Sequence, residues 1–348
     1  MSILKRSKCT PPYRFDAHHH ILPPEYVSAL RNLGIRGATG MPFPKWTPEG
    51  TLRFMDQHGI ATAITSVSTP GVYFNHPSVS RDLARSCNEY AARLVSDHPT
   101  RFGALASLPL PDIDGALQEL AYALDVLSLD GVILLTNAQG QYLGVQELDP
   151  LFIELNRRKA VVLVHPTDPP WGSIEGLDFP NALLESPFET TRAVANLLYN
   201  GVLTRFPDIR FIVSHAGGTI PFLAWKLGLA HQSRATGVRR LKVAYDLAIR
   251  KQDPDEGIQI LKRLYYDIAI AATRYTSRSL LELVDLSHIL FGTDYVWLPT
   301  FLIDILMQRL KDNTGLDEAS RLLVERENAL DLFPRFRQHF SGGVMNDR

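Results

Sequence analysis

The chain has little cysteine and no bias in its charge. Its 348 residues include two cysteines, Cys9 and Cys87, which cannot form a disulfide framework and are typical of a reducing compartment. The 36 basic and 37 acidic residues give a net charge of -1. This balance argues against nucleic acid or an anionic membrane as the partner.

Long apolar segments are also missing. No apolar run approaches the roughly 20 residues of a membrane-spanning helix. The basic N-terminal stretch MSILKRSKCTPPYR has no apolar core of signal-peptide length, and the C-terminal GGVMNDR has no peroxisomal or lipidation signal. We therefore expect a cytosolic protein with no membrane partner.

A glycine-rich dinucleotide fingerprint is absent after the first predicted strand, and no shift in composition marks a domain boundary. Short apolar, β-branched runs alternate instead with longer helical patterns. The predicted strands are residues 13–17, 61–67, 102–108, 131–135, 161–164, 210–213, 264–268 and 288–291. Eight buried strands that alternate with helices predict a (β/α)8 TIM barrel formed by residues 1–348 as one domain. A doubly wound open sheet is the alternative.

Two segments lie outside the simple repeat. Residues 21–49 are rich in proline and glycine and predict a long insertion after strand 1, with one helix near 24–33. Helices near 300–311 and 317–331 are predicted to close the chain at its C-terminus. Between them, helical patterns cover residues 48–58, 79–97, 113–127, 148–158, 188–204, 220–236, 254–263 and 276–284.

A histidine triplet follows the first strand-like segment. In extended backbone His18 and His20 point to one side and His19 to the other, because alternate side chains share a face. Two imidazoles on one face can bind one metal ion. A histidine triplet is also found in solvated loops and expression tags, but a tag usually has six histidines and lies outside the fold.

Other metal-type residues fall at the ends of later strands. His165 ends the fifth strand, His215 follows the sixth, and Asp294 follows the eighth. Each alone is ordinary, since a histidine can be a hydrogen-bonded edge residue and an aspartate can cap a helix. Because the carboxyl ends of barrel strands converge on one face, we expect them to meet His18 and His20 there. Three imidazoles and a carboxylate suit Zn²⁺ or a similar divalent ion.

These motifs resemble the amidohydrolase superfamily in its decarboxylase branch, which includes aminocarboxymuconate-semialdehyde decarboxylases and aromatic-acid decarboxylases. The chain is most similar to fungal 6-methylsalicylate decarboxylases. The resemblance spans nearly the whole chain. It is carried by Asp16-x-His18-x-His20-x-x-Pro23, Val164-His165-Pro166, Ser214-His215-Ala216-Gly217-Gly218, Phe291-Gly292-Thr293-Asp294, Trp46-x-Pro48-Glu49, Met55-Asp56-Gln57-x-Gly59-Ile60, Glu327-Asn328-Ala329-x-x-Leu332-Phe333 and the opening YRFDAHHHILPPEY.

The resemblance implies that His18, His20, His165 and Asp294 bind the metal, with His215 beside it. Strand four ends without the lysine that many hydrolytic members carboxylate to bridge two ions, so we expect one metal. Zn²⁺ is favoured, with Mn²⁺ as the alternative, and no organic cofactor is expected.

The implied reaction is the non-oxidative decarboxylation of a 2-hydroxybenzoate, 6-methylsalicylate to 3-methylphenol and CO₂, in polyketide or secondary metabolism. Asp294 is the first candidate for proton transfer, with His215 as helper. A metal-dependent amidohydrolase or lactonase that uses a metal-activated water is the alternative, because the same ligands serve both chemistries. A catalytically inactive barrel used as a scaffold is a third hypothesis, which a complete ligand set opposes.

A hydroxybenzoate needs a flat apolar slot and a group that binds its carboxylate. Candidate substrate contacts are aromatic residues assigned to loops at the catalytic end: Trp46, Tyr73, Phe74, Trp171, Phe188, Tyr295 and Trp297. Arg53, Arg234 and Arg274 are candidate carboxylate partners. In related decarboxylases an arginine can cross from a partner subunit, and the stretch 233–240 with Arg234 could do this in a homodimer. The apolar run 222–225 is compatible with that assembly.

Overall fold

Eight parallel strands follow one another around one sheet in their order along the chain. The computed structural model describes residues 13–172, 176, 179–235, 255–313 and 315–341. The strands are β1 (Arg14–His20), β2 (Ile60–Ser66), β3 (Phe102–Ser107), β4 (Gly131–Leu135), β5 (Val161–His165), β6 (Arg210–Val213), β7 (Tyr265–Asp267) and β8 (Ile289–Leu290). The segment after β8 returns to β1, where the Ala17 N–H donates to the Phe291 carbonyl at 2.9 Å. The predicted (β/α)8 barrel is confirmed.

Helices separate the strands. In the described ranges they are Pro24–Asn32, Pro48–Gln57, Pro77–Asp97, Ile113–Ala121, Asp149–Arg157, Glu185–Tyr199, Val202–Arg205, Ile220–Ala235, Asp255–Lys262, Arg274–Leu283, Thr300–Asn313, Glu318–Leu322, Asn328–Leu332 and Arg337–Ser341. None of the helices within these ranges is both long and apolar enough to cross a membrane.

Two predicted helices differ in detail. The helix expected over 113–127 changes to a π-turn at Tyr122–Val126. The helix expected over 188–204 begins earlier, at Glu185, and is interrupted at Gly201, whose φ of +69° is a left-handed conformation that glycine adopts without strain. The prediction that Phe188 lies in a loop is therefore wrong, because Glu185, Ser186 and Pro187 already form the start of the helix.

The strands bury side chains on both faces, which explains their nearly continuous apolar sequences. One cluster fills the barrel and includes Phe15, Ile64, Leu105, Leu163 and Ile212. A second cluster lies between the strands and the surrounding helices, and Val132, Val162 and Val213 belong to it. Alternation along each strand sends successive residues into one cluster and then the other.

The C-terminal helices close the amino-terminal end of the barrel. Phe333 and Phe336 join the interior cluster. The Phe15 ring stacks on Phe333 at 5.7 Å and meets Phe336 edge-on at 5.4 Å between ring centroids. These helices thus seal the end opposite to the strand ends that carry His20, His165 and Asp267.

The segment after β1 is the predicted insertion. It contains the helix Pro24–Asn32 and a short antiparallel pair, Gly37–Ala38 with Met41–Pro42. It ends where the Thr47 side chain accepts a hydrogen bond from the Gly50 N–H and caps the next helix. The Thr39 N–H donates to Asp168 Oδ2 at 2.9 Å, which joins the insertion to the segment after β5.

Candidate metal centre

Four side chains meet at the carboxyl ends of β1, β5 and β8. His18, His20, His165 and Asp294 each offer one ligand atom, and these atoms all lie within 4.8 Å of one another. The His20 Nε2 atom is 3.0 Å from His18 Nε2 and 3.2 Å from His165 Nε2. Asp294 Oδ1 is 3.0 Å from His20 Nε2 and 3.4 Å from His18 Nε2. Residues separated by up to 276 positions in sequence therefore form one cluster.

A local irregularity in β1 directs its two histidines to this cluster. Ala17 faces the barrel interior. With strict alternation along β1, the next side chain, His18, would point to the other face of the sheet, away from the barrel interior. The pairing of β1 with β2 shifts register between Asp16 and His19. Such a bulge re-aims the following side chains. It allows Ala17 to fill the barrel while His18 and His20 converge above it and His19 points away.

The hydrogen bonds behind the histidines fix which ring nitrogen faces inward. The Nδ1–H groups of His18, His20 and His165 donate to Asp267 Oδ2 at 2.9 Å, Ser66 Oγ at 3.0 Å and the Pro166 carbonyl at 2.8 Å. Ser66 can accept because its own hydroxyl lies 3.4 Å from the His19 carbonyl, to which it donates. In its neutral form, each ring therefore presents an Nε2 lone pair to the cluster.

This arrangement fits a metal ion. Three Nε2 lone pairs and one carboxylate oxygen are all acceptors, and Asp294 Oδ1 has no hydrogen-bond donor among the described residues. Acceptors facing one another in a buried site require a cation between them. Four ligands at about 2.0–2.1 Å from a tetrahedral Zn²⁺ lie roughly 3.3–3.4 Å apart. Four of the six separations, at 3.0–3.4 Å, are close to that spacing, whereas His165 Nε2 is 3.9 Å from Asp294 Oδ1 and the widest separation is within 4.8 Å.

The electrostatics of the cluster favour neutral histidines at two of its positions. Burial lowers the pKa of His20 to about 4 and that of His165 to about 3. Burial alone would also lower the pKa of His18, but the Asp267 carboxylate reverses this and raises it to about 9, so His18 must lose its Nε2 proton before that atom can bind an ion. Burial acts to raise the pKa of Asp294, yet its contacts with His165, His20 and His215 hold it well below its ordinary value. Asp294 is therefore a carboxylate.

Asp294 is held in an uncommon backbone conformation, with φ at +55°. Its N–H donates to the His18 carbonyl at 2.9 Å. The preceding residue, Thr293, donates to Asp16 twice, from its N–H at 3.0 Å and from its hydroxyl at 2.6 Å. Asp16 also accepts from His19 Nδ1–H at 2.9 Å. The first aspartate of the histidine motif thus ties β1 to the segment that carries Asp294.

His215 lies beside the cluster, as expected. Its Nε2 atom is 3.5 Å from Asp294 Oδ2, the oxygen that faces away from the other histidines. The two oxygens of Asp294 therefore have different surroundings. Oδ1 faces the three Nε2 atoms, and Oδ2 is available to exchange a proton.

Asp267 contacts the cluster and is not among the residues predicted from the sequence. It is the last residue of β7 and is completely buried. One of its oxygens accepts from His18, and the other accepts from the His215 backbone N–H at 3.2 Å. Its position at the end of a strand could have indicated a place near the site. Unlike His165 and His215, however, it is not followed by a glycine or proline motif that marks the strand end.

A cavity of about 340 Å³ lies at the carboxyl ends of β2 to β5, and neither the four clustered side chains nor His215 is among its lining residues. Its wall includes Leu135, which pairs in register with His165, and Val67, which follows Ser66. Apolar side chains and the amides of Asn137 and Gln139 line much of the rest. The charged side chain among its lining residues is Asp168, whose oxygens accept from the Thr39 N–H and Asn181.

The predicted aromatic contacts are scattered around this end of the barrel. Tyr73 lines the cavity. Trp46 is buried edge-on against Tyr90, and Phe74 packs against the outer core. Tyr295 stacks on Phe54 at 4.1 Å and faces His19, whereas the Trp297 indole N–H donates to Ser68 Oγ at 3.0 Å.

Trp171 and Phe188 form a separate group. Trp171 is about half exposed, and both rings lie near the Arg192 guanidinium, at 4.9 and 5.8 Å from its carbon. Arg53 and Arg274 are exposed. Arg234 belongs to the helix Ile220–Ala235, but its side chain and most of the stretch 233–240 lie outside the described residues.

Comparison with known proteins identifies the family to which the chain belongs. The amidohydrolase family model matches residues 15–335. "Decarboxylase yanB" of Aspergillus niger is 35% identical over 338 residues, which cover 93% of this chain and 88% of that protein. The 6-methylsalicylic acid decarboxylase acuB of Aspergillus aculeatus is 34% identical over 341 residues, with coverage of 95% and 99%.

Solved structures agree on the fold. A crystal structure of an amidohydrolase II is 28% identical with a TM-score of 0.82, and the alignment covers 92% of this chain and 99% of that one. A dihydroxybenzoic acid decarboxylase of Polaromonas, solved with manganese and 2-nitroresorcinol, is 19% identical with a TM-score of 0.72 and coverage of 93% and 97%.

An eight-stranded barrel with three imidazoles and one carboxylate at the carboxyl ends of its strands has the architecture of a metal-dependent barrel enzyme. More particularly, the chain belongs to the amidohydrolase family. Its resemblance to the decarboxylase branch and to fungal 6-methylsalicylate decarboxylases is confirmed by the named relatives.

Proposed function

We propose that the protein is a divalent-metal-dependent, non-oxidative decarboxylase of a 2-hydroxybenzoate, and that this acid is 6-methylsalicylate, converted to 3-methylphenol and CO₂ in polyketide or secondary metabolism. The observation that carries the proposal is the His₃Asp cluster in the mouth of the barrel. Relatives that are about one third identical over nearly the whole chain support it, because they are named decarboxylases.

His18, His20, His165 and Asp294 Oδ1 would hold one ion, Zn²⁺ or alternatively Mn²⁺. When bound, the ion supplies a Lewis acid that polarises and orients the oxygen atoms of the substrate. The buried hydrogen bonds to the three Nδ1 atoms keep the imidazoles fixed for that task. No organic cofactor is needed for this chemistry.

Asp294 Oδ2 would move the proton, with His215 beside it. Because the low pKa of Asp294 makes it a carboxylate, it can accept the proton of the substrate hydroxyl and deliver it to the ring carbon that bears the carboxylate. The bond from that carbon to the carboxylate then breaks, its electron pair restores the aromatic ring, and CO₂ leaves. The resulting phenolate takes a proton from water.

The cavity at the ends of β2 to β5 has room for an aromatic substrate. Its volume of about 340 Å³ is at the lower end of the usual range for ligand sites, and its wall combines apolar side chains with polar groups. Tyr73 and Leu135 would face the ring, whereas the anionic carboxylate would stay on the side of the cluster, away from Asp168. Trp46, Phe74, Trp171, Phe188, Arg234, Tyr295 and Trp297 stay predictions as substrate contacts.

The assay that tests the proposal uses purified protein reconstituted with Mn²⁺ or Zn²⁺ and supplied with 6-methylsalicylate. We expect 3-methylphenol by chromatography and one bound ion per chain. His165→Ala should lose both, and His76→Ala, which changes an exposed histidine, should lose neither. Bound metal without product from 6-methylsalicylate, salicylate or resorcylate would refute the substrate class and favour hydrolysis by a metal-activated water.

The assembly and location are proposed on the resemblance and the sequence. We propose a homodimer, a cytosolic location and one catalytic domain over residues 1–348, with no nucleic acid or membrane as partner. Sedimentation of the purified protein tests the first of these directly.

A further inference from the structure

The carboxylate of Asp267 touches two residues of the proposed site at once. Oδ2 accepts the Nδ1–H of His18 at 2.9 Å. Oδ1 accepts the backbone N–H of His215 at 3.2 Å and that of Ala269 at 3.0 Å. The side chain is fully buried, so these contacts are not exchanged with solvent. Asp267 therefore contacts both a ligand of the cluster and the residue beside Asp294 Oδ2.

The turn that carries His215 has an uncommon backbone conformation. His215 and Ala216 both have positive φ, at +56° and +54°, which non-glycine residues rarely adopt. Such conformations persist when surrounding structure holds them. Gly217 lies so close to the Tyr266 ring that an added Cβ would be 2.7 Å from it. Two adjacent residues of β7 thus shape this turn, Tyr266 by packing and Asp267 by a hydrogen bond.

We propose that Asp267 is a positioning residue that orients His18 for metal binding and, through the backbone of His215, places that imidazole beside Asp294. The inference rests on the metal site and reaction of the proposed function. In this proposal, the Asp267 carboxylate connects the metal ligand His18 with His215, which acts together with Asp294 in proton transfer.

The supports of the other two ligands are of a different kind. The Ser66 hydroxyl supports His20, and a backbone carbonyl supports His165. Both are neutral, and neither contacts His215 in the described structure. A change at Ser66 therefore disturbs one ligand, whereas a change at Asp267 disturbs a ligand and the turn after β6. This difference makes Ser66→Ala the matched variant.

Asp267→Asn is the informative substitution because it conserves shape. Asparagine has one acceptor oxygen and one NH₂ group where the carboxylate has two acceptors. If its oxygen serves His18, its NH₂ group meets the N–H groups of His215 and Ala269. If it serves the backbone, the NH₂ group meets His18 Nδ1–H. One of the two contacts is lost in either orientation.

The experiment titrates Co²⁺ into chelator-treated protein and then measures kcat at saturating Mn²⁺. We expect Asp267→Asn to weaken Co²⁺ binding about 10- to 100-fold and to change the d–d absorption spectrum. We also expect its kcat at saturating metal to fall at least about tenfold below that of Ser66→Ala, because proton transfer depends on placement.

Unchanged Co²⁺ affinity and spectrum in Asp267→Asn would overturn the role at His18. Weaker Co²⁺ binding with kcat equal to that of Ser66→Ala at saturating metal would overturn the role at His215. If the variant does not fold, NMR of the unmutated protein decides: a protected downfield Nδ1 proton that His18→Gln removes supports the contact, and its absence refutes it. Lack of product from the unmutated enzyme would refute the proposed reaction, while the Co²⁺ titration would still judge Asp267 and His18.

Discussion

At the scale of single residues, the site depends on buried polar groups that satisfy one another. Asp16 accepts from Thr293 and His19, and Thr293 in turn precedes the left-handed Asp294. The Thr293 hydroxyl is 2.6 Å from Asp16 Oδ2 and also accepts the Tyr295 N–H at 3.2 Å. A small hydroxyl therefore supports the backbone on both sides of Asp294.

Thr293→Val should destabilise the protein by about 1.5–3 kcal/mol, because it removes a buried hydrogen bond to a charged acceptor while keeping the shape of the side chain. Urea unfolding followed by circular dichroism measures this. Thr293→Ser is the control, since it keeps the hydroxyl and loses a methyl group. A valine variant as stable as the serine variant would show that the hydroxyl contributes little.

Single residues also show where sequence reasoning stops. His165 and Asp294 were predictable because one ends an apolar strand, the other lies in the segment just after one, and the carboxyl ends of barrel strands must converge. Asp267 occupies an equivalent place, but its role depends on His18, which lies 249 positions away. The packing of Trp46 against Tyr90 is likewise not readable from the sequence, and its role as a substrate contact stays a prediction. Local sequence does not encode which distant group a side chain meets.

At the scale of elements, the C-terminal helices and β1 form a separate structural unit at the closed end of the barrel. Phe336 is fully buried and packs edge-on against Phe15. Arg335 extends outward from the same turn and bonds to Asp130, before β4. This closure is remote from the cluster along β1, so it should affect stability rather than metal binding.

Phe336→Ala should lower the free energy of unfolding by about 3–5 kcal/mol, because it removes a large ring from a closed core. Phe336→Leu should cost less, since it keeps most of the volume. Guanidinium unfolding gives both values, and a Co²⁺ titration of the folded variants should match that of the parent. A large loss of Co²⁺ affinity in Phe336→Leu would contradict the separation of the two ends.

Element boundaries were predictable to within a few residues wherever apolar periodicity was strong, as in β4, β6 and the helix Pro77–Asp97. The π-turns at Tyr122–Val126 and Leu323–Glu327 were not, because an extra residue in a helical turn leaves the composition unchanged. The strand β8 has two residues, Ile289–Leu290; of the others in the predicted strand, His288 ends a 3₁₀ turn and Phe291 begins the following loop.

At the scale of the whole molecule, the cluster joins the first, fifth and eighth strands. A bound ion therefore links the beginning, middle and end of the barrel sequence. An ion that binds the folded chain alone stabilises it according to its concentration, by about 2.7 kcal/mol at a hundredfold excess over Kd.

Removing the metal with a chelator should thus lower the midpoint of thermal unfolding without unfolding the protein at 25 °C, because both hydrophobic clusters are independent of the site. Differential scanning calorimetry with and without added Mn²⁺ measures the shift. His165→Ala should melt at the same temperature in both conditions. A chelator effect of equal size in that variant would place the stabilising ion elsewhere.

The strand β1 contributes to both ends of the barrel, with Phe15 in the closed end and His18 and His20 in the mouth. Its bulge between Asp16 and His19 determines which side chains point to the closed end and which point to the metal cluster. An inserted or deleted residue within 15–18 would therefore remove the aromatic seal or direct His19 into the cluster. In the insertion that follows, Ile21, Tyr26 and Leu30 are also buried, so we expect length variation to be better tolerated only at its exposed tip, residues 40–42. The metal content of a variant with a residue inserted or deleted in β1 therefore indicates the register of β1, because a β1 strand shifted by one residue cannot bring the ligands together even in a compact chain.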